Sequence, residues 1–210
     1  MKRTIEQYAI PKKTITVLFI IIGFFIFMSF NSTNELPKSN GFKNATTDSV
    51  ESVAAFMEVY KVLISPRCMN CHPSGDVPLQ GDDNHLHAML PQRGKDGKGI
   101  NAMKCANCHQ ATNVEGIGNP PGNPNWHLPS ENMKMVFEGR TAHELAKQLV
   151  NPKTNGNKNL QQLIEHADDG LVKAGWDPGE GRTVPPMSYD AFKKAWITWI
   201  ENGAYAPNAK

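Results

Sequence analysis

The five-residue pattern Cys-x-x-Cys-His occurs twice, as CMNCH at residues 68–72 and as CANCH at residues 105–109, and the two copies use all four cysteines of the 210-residue chain. No other feature constrains the fold as much. Thiols three positions apart lie on one turn of a tight helix, so each copy presents two sulfurs and an adjoining imidazole to one side. Only 33 residues, 72–104, separate the second cysteine of one copy from the first of the next. Two short turns must therefore be held close together.

Four cysteines suffice for two disulfides, as in many exported domains, or for a zinc site of two CxxC knuckles. Neither accounts for a histidine after each pair in a chain with only seven histidines. Zinc knuckles are also typically about 15–20 residues apart. The pattern CxxCH is that of c-type haem attachment. Two thiols one turn apart can add to the two vinyl groups of one haem, and the next histidine then falls beneath the iron as its proximal ligand. The sequence predicts two haem c groups, one on Cys68 and Cys71 with His72, the other on Cys105 and Cys108 with His109. All four thiols would then be thioethers.

The amino terminus suggests a location. Lys2, Arg3, Lys12 and Lys13 precede residues 15–30, ITVLFIIIGFFIFMSF, which carry no charge. A basic flank before an apolar run is the signature of export with the basic end left in the cytoplasm. Sixteen helical residues span about 24 Å against a hydrocarbon core of roughly 30 Å, which favours a cleaved signal peptide. The lack of an A-x-A-like site after the run favours an uncleaved anchor. Residues 1–30 are thus expected to be a signal peptide or membrane anchor and residues 31–47 a flexible polar linker. Residues 48–205 would form the domain proper, on the periplasmic side of the cytoplasmic membrane. Beyond residue 30, 19 acidic residues face 18 basic ones. That balance offers no basic face for a nucleic acid.

The expected fold is mainly α: a loop-rich, cytochrome c-like domain wrapped around two covalently bound haems. The gap between the pentapeptides is too short for two tandem domains, so both haems should share one body. A helix is predicted over residues 48–64, capped by Asp48 or Ser49, with Val50, Val53, Ala54, Met57, Tyr60, Leu63 and Ile64 as its apolar face. A closing helix over residues 188–204 would be capped by Ser188, ended by Gly203, and anchored by Phe192, Ala195, Trp196, Trp199 and Ile200. Thr141 and Glu144 have capping-box spacing ahead of a helix that Pro152 stops. Residues 159–172 form a further helical piece with Leu160, Leu163 and Ile164 on one side. Segments 73–104 and 110–132 are rich in Gly, Pro, Asn and Asp and bury little alone, so haem faces would supply the missing apolar surface.

An electron carrier needs a second axial ligand on each iron. His127 and His166 are the first candidates, followed by His87 and His85. His127 sits beside Trp126 in a Pro-rich loop, and His166 ends a helical stretch. His85 and His87 alternate along an extended segment, which puts both on one side of it. His143 falls in the first turn of a helix and is expected to face solvent. Met89, Met103, Met133, Met135 and Met187 are the methionine alternatives, and core packing is the commoner use of such residues.

The runs RCMNCHPSGDVPLQGDDNHLH, RGKDGKG, MKCANCHQATN, PPGNPNWHLP and LVKAGWDPGEGRTVPP resemble a family of bacterial di-haem cytochromes often labelled isoquinoline 1-oxidoreductase subunits. The resemblance covers about residues 65–202. It implies an electron-transfer partner of a molybdenum-containing hydroxylase in, or facing, the periplasm. The substrate in that label does not carry over.

The reading from sequence is a carrier, not an enzyme, that passes electrons from a dehydrogenase to a respiratory acceptor. Two rivals remain. One is a di-haem peroxidase, which needs an iron with an open distal face; the other is a structural zinc module built on the two CxxC pairs.

Overall fold

A computed structural model of the chain describes residues 45–209. The expected signal or anchor and most of the expected linker lie outside these residues. Among the described residues no helix is long and apolar enough to cross a membrane.

The described chain is mainly helical: α1 (Ala45–Leu63), α2 (Pro66–Met69), α3 (Ala142–Val150), α4 (Leu160–His166), α5 (Gly170–Ala174) and α6 (Tyr189–Glu201). Two antiparallel hairpins of two-residue strands lie between α2 and α3. They are β1 (Leu79–Gln80) with β2 (His85–Leu86), and β3 (Gly99–Ile100) with β4 (Met103–Lys104). Two 3₁₀ turns, Cys105–Asn107 and Glu131–Met133, interrupt a remainder of turns and irregular backbone.

The core is the packing of α1 against α6, with α3 and α4 closing its sides. On α6 the buried residues are Phe192, Trp196, Trp199 and Ile200, as the helical period predicts. Ser188 caps the helix by accepting the Ala191 amide. Trp199 is fully buried and packs on Phe56 with ring centres 4.6 Å apart. Its indole N–H donates to the Tyr205 carbonyl, and Trp196 donates to the Leu163 carbonyl, so neither ring buries an unpaired donor. Ser52, also fully buried, donates to the Trp199 carbonyl and accepts the Tyr205 amide, which ties the carboxyl-terminal tail to α1.

Helix α1 differs from expectation in both start and face. It begins at Ala45, so Asp48 stands inside the first turn, where its charge favours the helix dipole. The buried stripe is Ser52, Phe56, Val59, Val62 and Leu63, whereas Val50, Met57 and Ile64 are exposed. The helix is apolar on two sides, and periodicity alone cannot say which side the aromatic face of α6 will claim.

Helix α3 starts with the predicted capping box, Thr141 and Glu144 each satisfying the other's backbone N–H. The single piece expected over residues 159–172 is two helices. Asp169 accepts the Leu171 amide and caps α5, so its side chain breaks the run that began at α4. Leu163 is buried there, while Leu160 is exposed. His143 is half-buried, not solvent-facing, and its Nδ1 lies 2.6 Å from the Pro207 carbonyl.

Candidate haem-attachment sites

The first pentapeptide grows directly out of the core. Helix α1 ends at Leu63, and Ser65 turns the chain by donating to the Val62 carbonyl at 2.6 Å. Pro66 opens α2, where its missing N–H costs nothing. Tight turns continue through the motif: the Cys71 amide donates to Cys68 and the His72 amide to Met69. This winding carries Cys68 against the core cluster.

A strap at residues 135–138 then grips His72. The ring Nδ1 lies 2.6 Å from the Met135 carbonyl, and the imidazole stacks on Phe137 at 3.9 Å and 10°. The His72 carbonyl accepts the amides of Phe137 and Glu138. Met135 adopts a left-handed backbone, φ 47°, to aim its carbonyl at the ring; a non-glycine residue holds that conformation only where its surroundings impose it. Burial pushes the His72 pKa down to about 4, against the opposing effect of the Met135 carbonyl; nearby positive charge on His166 lowers it further. The ring is therefore neutral at pH 7, with its hydrogen on Nδ1 and the Nε2 lone pair left over.

The second pentapeptide repeats this design on a different scaffold. Residues Cys105–Asn107 form a 3₁₀ turn, and the His109 amide donates to the Cys105 carbonyl. His109 Nδ1 lies 2.7 Å from the Pro121 carbonyl, and its ring stacks on Trp126 at 4.1 Å and 9°. Burial lowers the His109 pKa as well, with the Pro121 carbonyl opposing and His87 adding to the fall. The cradle is made of backbone. Gly97 (φ 76°) approaches the chain so closely that a Cβ would sit 1.9 Å from the Leu128 carbonyl oxygen, while its own carbonyl accepts the Leu128 amide.

The two pentapeptides are neighbours, near enough for the Cys105 sulfur to oppose ionisation of Cys71. Burial pushes the Cys68 thiol up to about 12, with Cys71 adding to the rise, and burial also pushes Cys71 up to about 11. Cys105 is raised for the same reason, and Cys108 is exposed. All four cysteines are unpaired. The surroundings of Cys68, Cys71 and Cys105 favour uncharged sulfur, which suits a thioether better than a thiolate. Among the described residues no three His, Cys, Asp or Glu side chains converge as a metal-binding group.

Two arginines stand beside the first motif. Arg93 is 1% exposed and donates to the Pro129 carbonyl (2.7 Å) and the Gly75 carbonyl (3.0 Å). It thereby joins segments that follow each pentapeptide. Arg67 pairs with Asp82 and donates to the Gly81 carbonyl. The Arg93 Nε faces the Asp76 carboxylate at 3.4 Å, whereas the Arg67 Nε–H is buried without a hydrogen-bond partner. Unsatisfied buried donors are rare, and this one is cationic and next to the sulfurs. Haem carries carboxylate side chains, so the chemistry of this donor fits the group that the pentapeptides imply.

The candidate distal histidines separate clearly. His87 faces His109, with ring centres 6.4 Å apart and planes at 64°. His166 lies near enough to His72 to depress its protonation. His85 is exposed and bonds Asp83 through Nδ1 at 2.5 Å. His127 is also exposed, with Nδ1 2.5 Å from the Asn125 carbonyl of its own loop. The structure therefore brings His87 and His166 to the pentapeptides and leaves His85 and His127 outside. Phe137, Trp126 and the carbonyls of Met135 and Pro121 were not anticipated. In the sequence Trp126 stands out only as the neighbour of His127, yet its ring stacks on His109.

The chain matches no protein-family model, no curated protein and no solved structure.

Proposed function

We propose that the chain is a di-haem c-type cytochrome that passes electrons from a periplasm-facing dehydrogenase to a respiratory acceptor. The observation that carries this reading is the duplicated histidine geometry. After each Cys-x-x-Cys pair the imidazole directs Nδ1 at a backbone carbonyl, stacks on an aromatic ring and keeps Nε2 as an acceptor. Metal-ligating histidines are characteristically oriented through their other nitrogen in this way. When bound, haem supplies one-electron chemistry between ferric and ferrous iron.

The chain's own residues have divided roles. Cys68, Cys71, Cys105 and Cys108 fasten the two groups, and His72 and His109 present Nε2 to the irons. Phe137 and Trp126 fix the rings and exclude water from one side of each. Arg67 offers a buried N–H group to a haem carboxylate, and Arg93 ties together the segments that follow the two pentapeptides. No bond-making step falls to any of these residues, so we read the chain as a carrier. The family resemblance suggests a molybdenum-containing hydroxylase as the donor. The basic flank and apolar run of residues 1–30 suggest the outer face of the cytoplasmic membrane.

The test is a pyridine haemochrome assay on protein exported from a host able to mature c-type cytochromes. Two haems per chain, retained through acidified organic solvent, are expected. A pale protein holding one zinc per four cysteines would overturn the reading in favour of a zinc module.

A further inference from the structure

The second site holds two neighbouring imidazoles, those of His87 and His109. Building on the di-haem reading, we infer that His87 is the axial ligand opposite His109, so that the second haem is bis-histidine ligated. The ring centres stand 6.4 Å apart. Two imidazoles on opposite sides of one metal place each nitrogen about 2 Å from it, and a five-membered ring has its centre about 1.1 Å behind its nitrogen. Their centres therefore fall about 6.3 Å apart. The edge-to-face ring pairs of the core stand closer, 5.3 Å for Trp176 on Tyr189 and 5.2 Å for Trp196 on Trp199. Rotation about the nitrogen–metal axis leaves the separation unchanged, so the 64° between the planes is compatible with axial binding and is set by the fold.

The fold supplies a reason for His87 to be there. It directly follows the β1–β2 hairpin, whose turn is closed by Asn84 in a left-handed conformation (φ 58°). Its amide donates to the Pro78 carbonyl, and its carbonyl accepts the Leu90 amide. The hairpin hangs from the first pentapeptide. Asn70 accepts the Leu79 amide, donates to the Gly81 carbonyl at 2.9 Å and accepts from Asn84 at 2.8 Å. The ligand for the second iron is thus held by the backbone that carries the first. Binding through Nε2 places the His87 hydrogen on Nδ1 and gives up that atom's long 3.3 Å contact with the Met89 amide. His85 and His127, engaged with Asp83 and Asn125, have no comparable approach to His109.

The experiment compares the exported holoprotein with H87A, H87M and H127A by haem count, low-temperature EPR and redox titration. Strongly inclined imidazole planes give a highly anisotropic low-spin ferric signal, expected in the parent protein. H87A should keep two covalent haems while one becomes high-spin, and added imidazole should restore the low-spin signal. H87M should stay low-spin with that haem's potential raised. H127A should match the parent. Two haems that both remain low-spin and unshifted in H87A and H87M would overturn the inference and leave the di-haem reading standing. A high-spin haem in H127A with H87A unchanged would overturn it in favour of His127. Absence of covalent haem in the parent protein would overturn both.

Discussion

The two pentapeptides have nearly the same sequence and the same histidine geometry, but they are held by different physics. The first is an extension of the hydrophobic core. Its Cys68 packs on the cluster of α1, α3, α4 and α6, and its aromatic support, Phe137, is 5% exposed. The second lies in backbone. Its cysteine turn follows the β3–β4 hairpin, its aromatic support Trp126 is half-buried, and Cys108 is exposed. The close backbone approach of Gly97 to Leu128, whose amide donates to the Gly97 carbonyl, does for it what apolar side chains do for the first. A CxxCH turn therefore needs only an oriented imidazole and an aromatic face, and either packing or close backbone approach can provide them. For a carrier, the contrast implies a rigid site and a more accessible one.

The contrast predicts its largest energetic difference at the aromatic supports. Phe137→Ala should cost about 3–5 kcal/mol of stability, because it opens a cavity in the core. Trp126→Ala should cost only about 1 kcal/mol, the worth of a partly exposed ring pair. Denaturant titrations of the two variants check this, and equal losses would break the distinction between the sites.

Next in size is a pH effect in apoprotein. The folded pKa of His72, about 4, lies below the ordinary histidine value of about 6.5. The unfolded chain thus takes up the proton first. Stability is whole above the ordinary value and is lost as pH falls toward 4, by up to about 3 kcal/mol. His72→Gln should flatten that slope in apoprotein melts. His109, shifted in the same direction but less buried, should matter less, and an equal flattening by His109→Gln would count against the contrast.

Gly97→Ala sharpens the comparison from the other side. It strains a left-handed backbone and drives a methyl group into the Leu128 carbonyl. About 1–3 kcal/mol should be lost, with haem occupancy falling at Cys105 and Cys108 and not at Cys68 and Cys71. Peptide mapping of haem-bearing fragments reads this out. The smallest effect belongs to a position remote from both motifs: Thr141→Ala removes one N-cap and should cost about 1 kcal/mol while leaving both haems in place.

What could be read from sequence was what is local. The capping box at Thr141 and Glu144, the Ser188 cap and the apolar face of α6 depend on residues within a turn or two of one another. The pentapeptides are likewise local, and their turns form where the spacing places them. The rest depends on partners far along the chain. His72 meets a carbonyl 63 positions away, and His109 meets one 12 positions away through a loop without regular structure. Nothing in NWHLP distinguishes a tryptophan that supports His127 from one that supports His109. The sequence places His85 and His87 on an extended alternation, which does not reveal that Asn70 pins the hairpin preceding His87. On α1, two apolar stripes competed, and only the aromatic surface of α6 decided between Phe56–Val59 and Val50–Met57.

The most direct test of the account is mass spectrometry of the exported protein, intact and after proteolysis. The account predicts the added mass of two haems, with one on the peptide containing Cys68 and Cys71 and one on the peptide containing Cys105 and Cys108. Unmodified cysteines in both peptides, from cells that mature other c-type cytochromes normally, would contradict it.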